Sequence, residues 1–464
     1  ACARIGAIHS VVYAGMGAGA LRNRIEDCKA KAVVAADFGF RRGKRVELLP
    51  TLETAVRGLA FVERVILHRR VPETPLPKGW VDFAELAEGR PGTCEPERMD
   101  AEDPLFILYT SGTTGKPKGV VHAQGGFMVG TYYLSRMFYD IHEEDVYWST
   151  SDIGWIVGHS YIVYGPLFAG ATVLVREGAP DYPDPGAVWR AVERHGVNLM
   201  FTAPTTLRMF MKLGEEWLRK FDLSSLRVVA VAGEPLNPEA WSWAQKHIVG
   251  PHGGYVIDNY WQTEVASPMI GTFASLPFRP GKVGVPMPGV VLDVVDRAGE
   301  PVEAGKGGTL VMREPAPYML RTIYGDDPRY ASLWGTIPGV YYTGDIAVRD
   351  KDGYIAVLGR DDDVIKVAGH RLGTAEIESS LIEHPAVAEA AAIGLPDPVK
   401  GERIKCFVVL RGGAGEGEAL SRELIRHVRQ DLGPVAVVSE VVFTDKLPKT
   451  RSGKIVRRFL KARE

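Results

Sequence analysis

Tyr109-Thr-Ser-Gly-Thr-Thr-Gly-Lys-Pro-Lys-Gly119 stands directly after the apolar run Leu105-Phe-Ile-Leu108. It combines glycines, hydroxyls and two lysines. Glycines let backbone N–H groups turn toward an anion, hydroxyls add donors and lysines add charge, which together suit a polyphosphate. On composition alone a solvated surface turn competes with that reading. A Walker A loop needs four residues between its first Gly and the closing Gly-Lys-[Ser/Thr]. Gly112 and Gly115 are only three apart and Pro117 follows Lys116, which disfavours a kinase or an ordinary P-loop NTPase.

Around this segment the chain changes texture three times. Up to about residue 265, short apolar runs alternate with helix-period segments. Ala32–Ala36, Arg64–His68, Leu105–Tyr109, Thr172–Val175, Leu199–Phe201, Val228–Val231 and Gly254–Ile257 read as strands. Pro185–His195 and Pro238–His247 read as amphipathic helices, and Gly17–Lys31 also looks helical. Such alternation predicts βαβ units and a largely parallel sheet covered by helices. From Gly284 to about Val367, strands at Val290–Val295, Gly308–Met312 and Gly353–Leu358 joined by Gly/Asp turns predict a small antiparallel or barrel-like unit, with a hairpin turn at Asp352-Gly353. The last stretch, with helices at Thr374–Glu383 and Glu418–Asp431, predicts a small α+β domain. The expected fold class is therefore α/β: a large domain of parallel sheets with a β-barrel-like unit, then a small α+β domain.

Composition narrows the function. The 464 residues carry 55 Lys+Arg against 57 Asp+Glu, a formal charge of −2, which argues against nucleic-acid binding through bulk positive charge. No apolar run reaches the ~18 residues of a membrane span. Cys2, Cys28, Cys94 and Cys406 lie far apart without a CxxC pair, so neither a disulfide framework nor a cysteine metal site is indicated and a reducing cytoplasm fits. The chain opens Ala1-Cys-Ala-Arg4 without Met or a leader-like segment, and Ile5–Tyr13 looks strand-like. That start suggests the interior of a fold and an N-terminal portion preceding it.

Tyr109–Gly119 resembles the signature of the AMP-forming acyl-CoA synthetase, luciferase and peptide-synthetase adenylation superfamily. Gly233-Glu-Pro235, Tyr260-Trp-Gln-Thr-Glu264, Tyr342-Thr-Gly-Asp345, Gly359-Arg360, Gly369-His-Arg-Leu-Gly373 and Pro448-Lys-Thr-Arg-Ser-Gly-Lys454 follow in the order of that superfamily. Trp155, Gly158-His-Ser160, Thr374-Ala-Glu-Ile377 and Leu447–Lys454 are similar to the acetyl-CoA synthetase branch. The opening Cys2–Ser10 resembles an internal stretch of those enzymes, which implies truncation at the N-terminus.

The resemblance implies a large adenylate-forming domain over 1–361 and a small domain over 362–464, hinged at Asp362. It implies ATP, Mg²⁺ and coenzyme A as the molecules handled. Thr110, Ser111, Gly112, Thr113, Thr114, Gly115 and Lys116 would cradle phosphates. Gly233, Glu234 and Pro235 would line the adenine with Asp258 nearby, and Asn259, Tyr260, Trp261 and Gln262 would complete the nucleotide site with Arg371. Asp345 would accept both ribose hydroxyls, as a carboxylate does well, with Arg360 beside it. Thr263 would contact the α-phosphate and Glu264 would ligate Mg²⁺, a hard oxygen for a hard cation. Lys454 would bridge the attacking carboxylate and the α-phosphate and lower the first barrier. Its surroundings, Lys449, Arg451, Arg457 and Arg458, otherwise read as a solvated cationic segment. Arg41 and Lys44 would hold the CoA phosphates; Lys44 replaces the usual Arg, keeping charge but losing the bidentate fork. Ala368 and Gly369 would border the pantetheine tunnel.

The acyl pocket implied by the resemblance comprises Trp155, Ile156, Val157, Ala232 and Trp261. Trp261 matches the bulky wall of acetate enzymes. Ile156 and Val157 stand where Val and Thr are usual, Ala232 where Val is usual, Asn259 where Thr is usual, and Val265-Ala266 where Thr-Gly is usual. The expected reaction is acetate or propionate + ATP + CoA → acyl-CoA + AMP + diphosphate through acyl-AMP. Alternatives are the propionate or 3-hydroxypropionate ligase portion of a longer multifunctional protein, or a nucleotide-binding protein without catalysis. An amino-acid-activating module is disfavoured by Trp261. A deacylase or acyltransferase acting on Lys454 is the expected protein partner; no nucleic acid or membrane is expected.

Overall fold

The computed structural model describes residues 1–110, 117–361, 365–367, 370–372, 374–397, 401–412, 415–432, 436–449, 455–462 and 464. Its central element is a seven-stranded sheet in the order Val285–Pro286, Ile270–Gly271, Tyr255–Tyr260, Val228–Val231, Leu199–Thr202, Val146–Ser149 and Thr172–Leu174. The last five run parallel, Ile270–Gly271 pairs antiparallel with Tyr255–Tyr260, and Val285–Pro286 pairs antiparallel with Ile270–Gly271. Successive side chains of a strand point to opposite faces. Leu199, Phe201, Val228, Ala230 and Ile257 enter one core cluster, while Met200, Val229, Val231 and Val256 enter another on the opposite face. Burial on both faces explains why these strands read as continuous apolar runs.

The helix Ala187–His195 buries Val188 and Val192, one turn apart, against that second cluster. It stops at Gly196, whose φ of 60° is a left-handed cap that glycine adopts without a Cβ penalty. Burying side chains of this size stabilises by roughly 1.5–3 kcal/mol each, so the amphipathic pattern decides the helix.

The phosphate-loop candidate has a different setting from a parallel βαβ turn. Pro104–Thr110 and Lys118–Ala123 pair antiparallel, Thr110 opposite Lys118, and Thr322–Ile323 adds a third strand. Gly119 crosses directly over Tyr109, where a Cβ would come within 3.1 Å of its ring. Thr110 and Lys118, on either side of residues 111–116, are thus a cross-strand pair at the end of two antiparallel strands. The strand expected at Ile5–Tyr13 does not form: Cys2–Ile5 is a 3-10 turn, and a single bridge joins His9 to Phe106. Ile5 and Ile8 are half exposed, so apolar character here does not mark a buried ladder.

Leu292–Val295, Gly307–Met312, Tyr341–Arg349 and Ile355–Arg360 form an antiparallel sheet, and the hairpin turns at Asp352-Gly353 with Gly353 at φ 87°. Beyond residue 365, strands Ile365–Val367, His370–Leu372, Val387–Asp397, Gly401–Leu410 and Val438–Phe443 form one sheet with helices Thr374–Glu383 and Glu418–Leu432. Its two core clusters, centred on Ile377, Leu424 and Val428 and on Ile393, Phe407 and Leu460, draw only on residues of this region. Among the described residues no helix is long and apolar enough to cross a membrane.

Candidate active site

The register of the parallel strands aligns the motif segments. Thr202 lies opposite Val231, and Val231 opposite Asp258. The chain leaves the sheet after each: into Ala203-Pro204, into Ala232-Gly233-Glu234-Pro235, and into Trp261–Glu264. Ligands of open α/β sheets bind beyond the carboxyl ends of such strands. A cavity of about 670 Å³ opens there, lined by Gly233, Glu234, Pro235, Asp258, Asn259, Tyr260, Trp261, Gln262, Asp345 and Arg360. The opposite wall comes from the C-terminal region, with Thr374, Glu378, Glu389, Lys449, Ile455 and Arg457.

Asp345 is tied into a hydrogen-bond network at the cavity. Tyr260 Oη and Gln262 Nε2 both donate to its Oδ2, at 2.5 and 2.6 Å. Gln262 Oε1 in turn accepts from Tyr341 Oη at 2.8 Å, and its amide also donates to the Thr343 carbonyl. Arg360 is the cross-strand neighbour of Asp345, with its Nη1 3.9 Å from Oδ1 and 3.0 Å from the Thr343 carbonyl. Gly344, at φ 72°, lies where a Cβ would come within 2.7 Å of that guanidinium. The Thr-Gly-Asp turn therefore needs its glycine for Arg360 to reach across. Burial pushes the Asp258 carboxyl well above the carboxylate range and, with Asp345 adding to it, the Tyr260 phenol above its ordinary value.

Glu264 is buried and forms an ion pair with Lys118, which follows the phosphate-loop segment. That carboxylate is a hard donor already facing a cation. No group of three or more His, Cys, Asp or Glu side chains suited to a metal occurs among the described residues. The residues fit a Mg²⁺ that takes one protein carboxylate and fills its shell with phosphates and water. Thr263 presents its carbonyl to His122 Nε2 at 2.7 Å. Burial lowers His122 to about 4, so the imidazole is neutral. Thr110 Oγ1 is buried without a hydrogen-bond partner among the described residues.

Glu234 faces the adjacent helix Pro204–Leu213: it accepts from Thr205 N at 2.7 Å, from Thr205 Oγ1, and from Arg208 at 3.0 Å. Its carboxylate caps that helix, and the backbone of Gly233-Glu-Pro is what remains for a flat ring. Trp261 is gripped edge-on by Tyr161 and Phe201, with centroids at 5.8 and 5.9 Å. Ala232 and Val157 pack in the same cluster as Trp261. Ile156 packs in a neighbouring cluster with Ala266, and Trp155 is exposed and stacked on Tyr13.

Arg41 and Lys44 lie on the exposed hairpin Phe38–Arg41/Lys44–Glu47, apart from the cavity. Arg41 donates to Tyr13 Oη at 3.3 Å, so the hairpin contacts Trp155 through Tyr13. Ser111, Gly112, Thr113, Thr114, Gly115, Lys116, Asp362, Ala368, Gly369 and Lys454 lie outside the described residues, and Arg371 is described only in its backbone. Sequence reasoning named Lys118 only as one of two lysines in the loop segment and missed Tyr341, Arg208 and Glu378. Tyr341 and Glu378 had a signal, since each adjoins a quoted motif; Arg208 is brought in by tertiary contact.

Residues 1–324 match the model of the AMP-binding enzyme family, and residues 376–454 match that of the AMP-binding enzyme C-terminal domain. The acetyl-coenzyme A synthetase of Methanothrix thermoacetophila is 50% identical over 100% of this chain and 71% of its own. That of Pasteurella multocida is 48% identical over 100% of this chain and 72% of its own. Among solved structures, acetoacetyl-CoA synthetase from Streptomyces lividans superposes with a TM-score of 0.90 at 27% identity, over 99% of this chain and 70% of that one. An anthranilate CoA ligase in complex with anthranoyl-AMP gives 0.85 at 27% identity, over 99% and 83%.

Proposed function

The chain belongs to the AMP-binding enzyme family, and from that premise we propose that it is an AMP-forming acyl-CoA synthetase acting on acetate. The observation that carries this reading is the convergence on one cavity of Gly233–Pro235, Asp258–Gln262, Asp345 and Arg360 from four separate sequence motifs. In the first half-reaction a carboxylate oxygen attacks the α-phosphorus of ATP and diphosphate leaves. In the second, the CoA sulfur attacks the acyl carbon and AMP leaves, the thiol proton passing to solvent.

Asp345, held by Tyr260 and Gln262, accepts the ribose hydroxyls, and Arg360 lies beside it. Thr263 and Glu264 follow the end of the strand Tyr255–Tyr260, and Glu264 would hold a Mg²⁺ whose charge would offset that of the phosphates. Lys454 supplies the cation for the oxygens on which charge spreads in the first transition state. The described residues nearest to it on either side, Lys449 and Ile455, both line the cavity, which supports that role. Residues 1–361 act as the large domain and 362–464 as a small domain turning at Asp362 between the half-reactions. The separate core of the C-terminal region supports the division. Arg41 and Lys44 take the CoA phosphates. A cytoplasmic location suits four well-separated cysteines, and an acyltransferase and deacylase acting on Lys454 would regulate the first step.

Propionate is the second reading, favoured by Ala232, which packs in the cluster of Trp261 with a smaller side chain than the Val of acetate enzymes. The test is a panel of C1–C5 acids in an ATP- and CoA-dependent diphosphate assay, with Lys454→Ala as control. The proposal expects acetate or propionate to give the highest kcat/KM and Lys454→Ala to abolish acyl-AMP formation while sparing thioester formation from supplied acyl-AMP. Equal loss of both half-reactions would refute the role of Lys454, and diphosphate release independent of acid would refute the ligase.

A further inference from the structure

The segment on either side of Lys454 is tied back to the small region at two points. Leu447 and Leu460 anchor it by burial against Ala391, Ile393 and Phe407. Between these anchors the chain closes a neck: Val456 N donates to the Pro448 carbonyl at 2.8 Å, and Lys449 bridges Ile455. Residues 450–454, Lys454 last among them, are the sequence between the two sides of that neck.

Each side of the neck carries a cation held by a carboxylate. Arg457 meets Glu378 in a fork of three contacts at 2.8, 2.8 and 3.1 Å, both side chains nearly buried. Glu378 also accepts Ala392 N at 2.9 Å, so one carboxylate joins helix Thr374–Glu383, strand Val387–Asp397 and the neck. On the other side Lys449 meets Glu389 at 2.6 Å, with a third or more of each side chain exposed. All four residues line the cavity.

Magnitudes separate the two pairs. A half-exposed ion pair contributes about 0–1 kcal/mol, so Glu389 is the minor tie. A buried, bidentate pair fixes geometry strongly, although desolvation makes its net contribution to stability small. The apolar anchors already hold the segment on the sheet. The charged fork adds a fixed direction to the neck on the wall facing Asp345.

We infer that Glu378, acting through Arg457, is a positioning residue that sets the neck from which Lys454 reaches the first transition state. This rests on the reading of Lys454 given above. A displacement of about 1 Å in such a group costs on the order of 100-fold in rate. The electrostatic role of Lys454 belongs to acyl-AMP formation alone, so the loss should fall on that half-reaction.

The test uses the full chain with Lys454→Ala, Glu378→Gln, Arg457→Lys and Glu389→Gln, each measured by acid-dependent ATP–diphosphate exchange, thioester formation from supplied acyl-AMP, KM for ATP and thermal melting. The expected result is a fall of about 100-fold in exchange kcat for Glu378→Gln, with KM for ATP and thioester formation unchanged. A smaller fall of the same kind is expected for Arg457→Lys, which keeps the charge but loses the fork, and little change for Glu389→Gln. Wild-type exchange, or parallel loss of both half-reactions, in Glu378→Gln would overturn the inference. A raised KM for ATP in Arg457→Lys without loss of kcat would overturn it in favour of a direct phosphate contact. If Glu378→Gln does not fold, Arg457→Lys decides by the same criteria. Full exchange in Lys454→Ala would instead overturn the reading of Lys454 itself.

Discussion

Tyr260 Oη donates to Asp345 Oδ2 across 2.5 Å, tying the strand end of the central sheet to the antiparallel sheet that carries Thr343-Gly-Asp345. The bond fixes which face of the carboxylate meets the cavity. Gln262 reinforces it at 2.6 Å on the same oxygen. Two donors on Oδ2 hold the carboxylate in one orientation, from which it would accept a pair of ribose hydroxyls.

Asp345→Asn tests this arrangement. The amide can still accept from Tyr260 and Gln262 through its oxygen, but it then turns an NH₂ toward the hydroxyls and loses the charge. Hydrogen bonds to charged groups are worth about 1.5–3 kcal/mol. The expected outcome is a rise of roughly 10- to 100-fold in KM for ATP, with KM for the acid unchanged. Tyr260→Phe should give a smaller rise of the same kind. Steady-state kinetics in both substrates checks it, and a normal KM for ATP in Asp345→Asn would remove Asp345 from the ribose site.

Buried histidines set an acid limit on stability. Burial, aided by the neighbouring His9 and His122, lowers His159 from 6.5 to about 4, and burial lowers His122 to about 4 as well. Their folded-state values lie below the unfolded one, so the unfolded chain binds more protons as pH falls. Their contribution is fully present above pH 6.5 and drains away between 6.5 and 4, by about 1.4 kcal/mol per pH unit for each group. Urea midpoints should therefore fall steeply across that window. A folded His159→Asn variant should show a slope shallower by about 1.4 kcal/mol per pH unit; an unchanged slope would show that His159 does not titrate on unfolding.

The motifs made the inner shell of the cavity readable. Asp345, Tyr260 and Gln262 sit in contiguous signatures, and the parallel register then places two of those signatures side by side. Glu378 and Arg457 were less legible because their contact spans 79 residues; a Glu on one helix and an Arg beyond a loop carry no periodic mark. Glu234 lines the cavity as its motif suggests, but the engagement of its carboxylate with Thr205 and Arg208, 29 and 26 residues away, carries no local mark. Ile5–Tyr13 misled for another reason. Alternating apolar residues predict a strand only if a ladder partner exists along the whole run, and here pairing occurs at His9 alone.

Ala232 offers a test of acid choice. It is buried beside Trp261 in the cluster that includes Tyr161 and Phe201. Ala232→Val returns about two methylene-sized groups to this space, each worth ~1–3 kcal/mol in discrimination when it displaces substrate volume. The ratio of acetate to propionate kcat/KM should rise by about tenfold or more. A ratio that does not move would place the added methyls in the surrounding core and away from the acid.

Arg41 and Lys44 face each other as the last cross-strand pair of their hairpin. Like charges directly opposite destabilise a sheet, and the turn between them, Arg42-Gly43, adds a third cation, which Asp181 pairs at 2.7 Å. An anion shared between Arg41 and Lys44 relieves the repulsion, so the hairpin should bind phosphate groups and stiffen when it does. Arg41→Ala is expected to raise KM for CoA by about tenfold, the value of one charge-assisted hydrogen bond, and to leave KM for ATP untouched. Exposure of both residues makes the effect salt-sensitive, because pairs at a surface are screened over about 8–10 Å. Lys44→Arg restores the bidentate fork and should lower KM for CoA. Dephospho-CoA separates the phosphates: if Arg41 grips the 3′-phosphate, wild type and Arg41→Ala should handle dephospho-CoA alike. A tenfold difference persisting with dephospho-CoA would assign Arg41 to the diphosphate instead, and no change with either substrate would remove the hairpin from the CoA site.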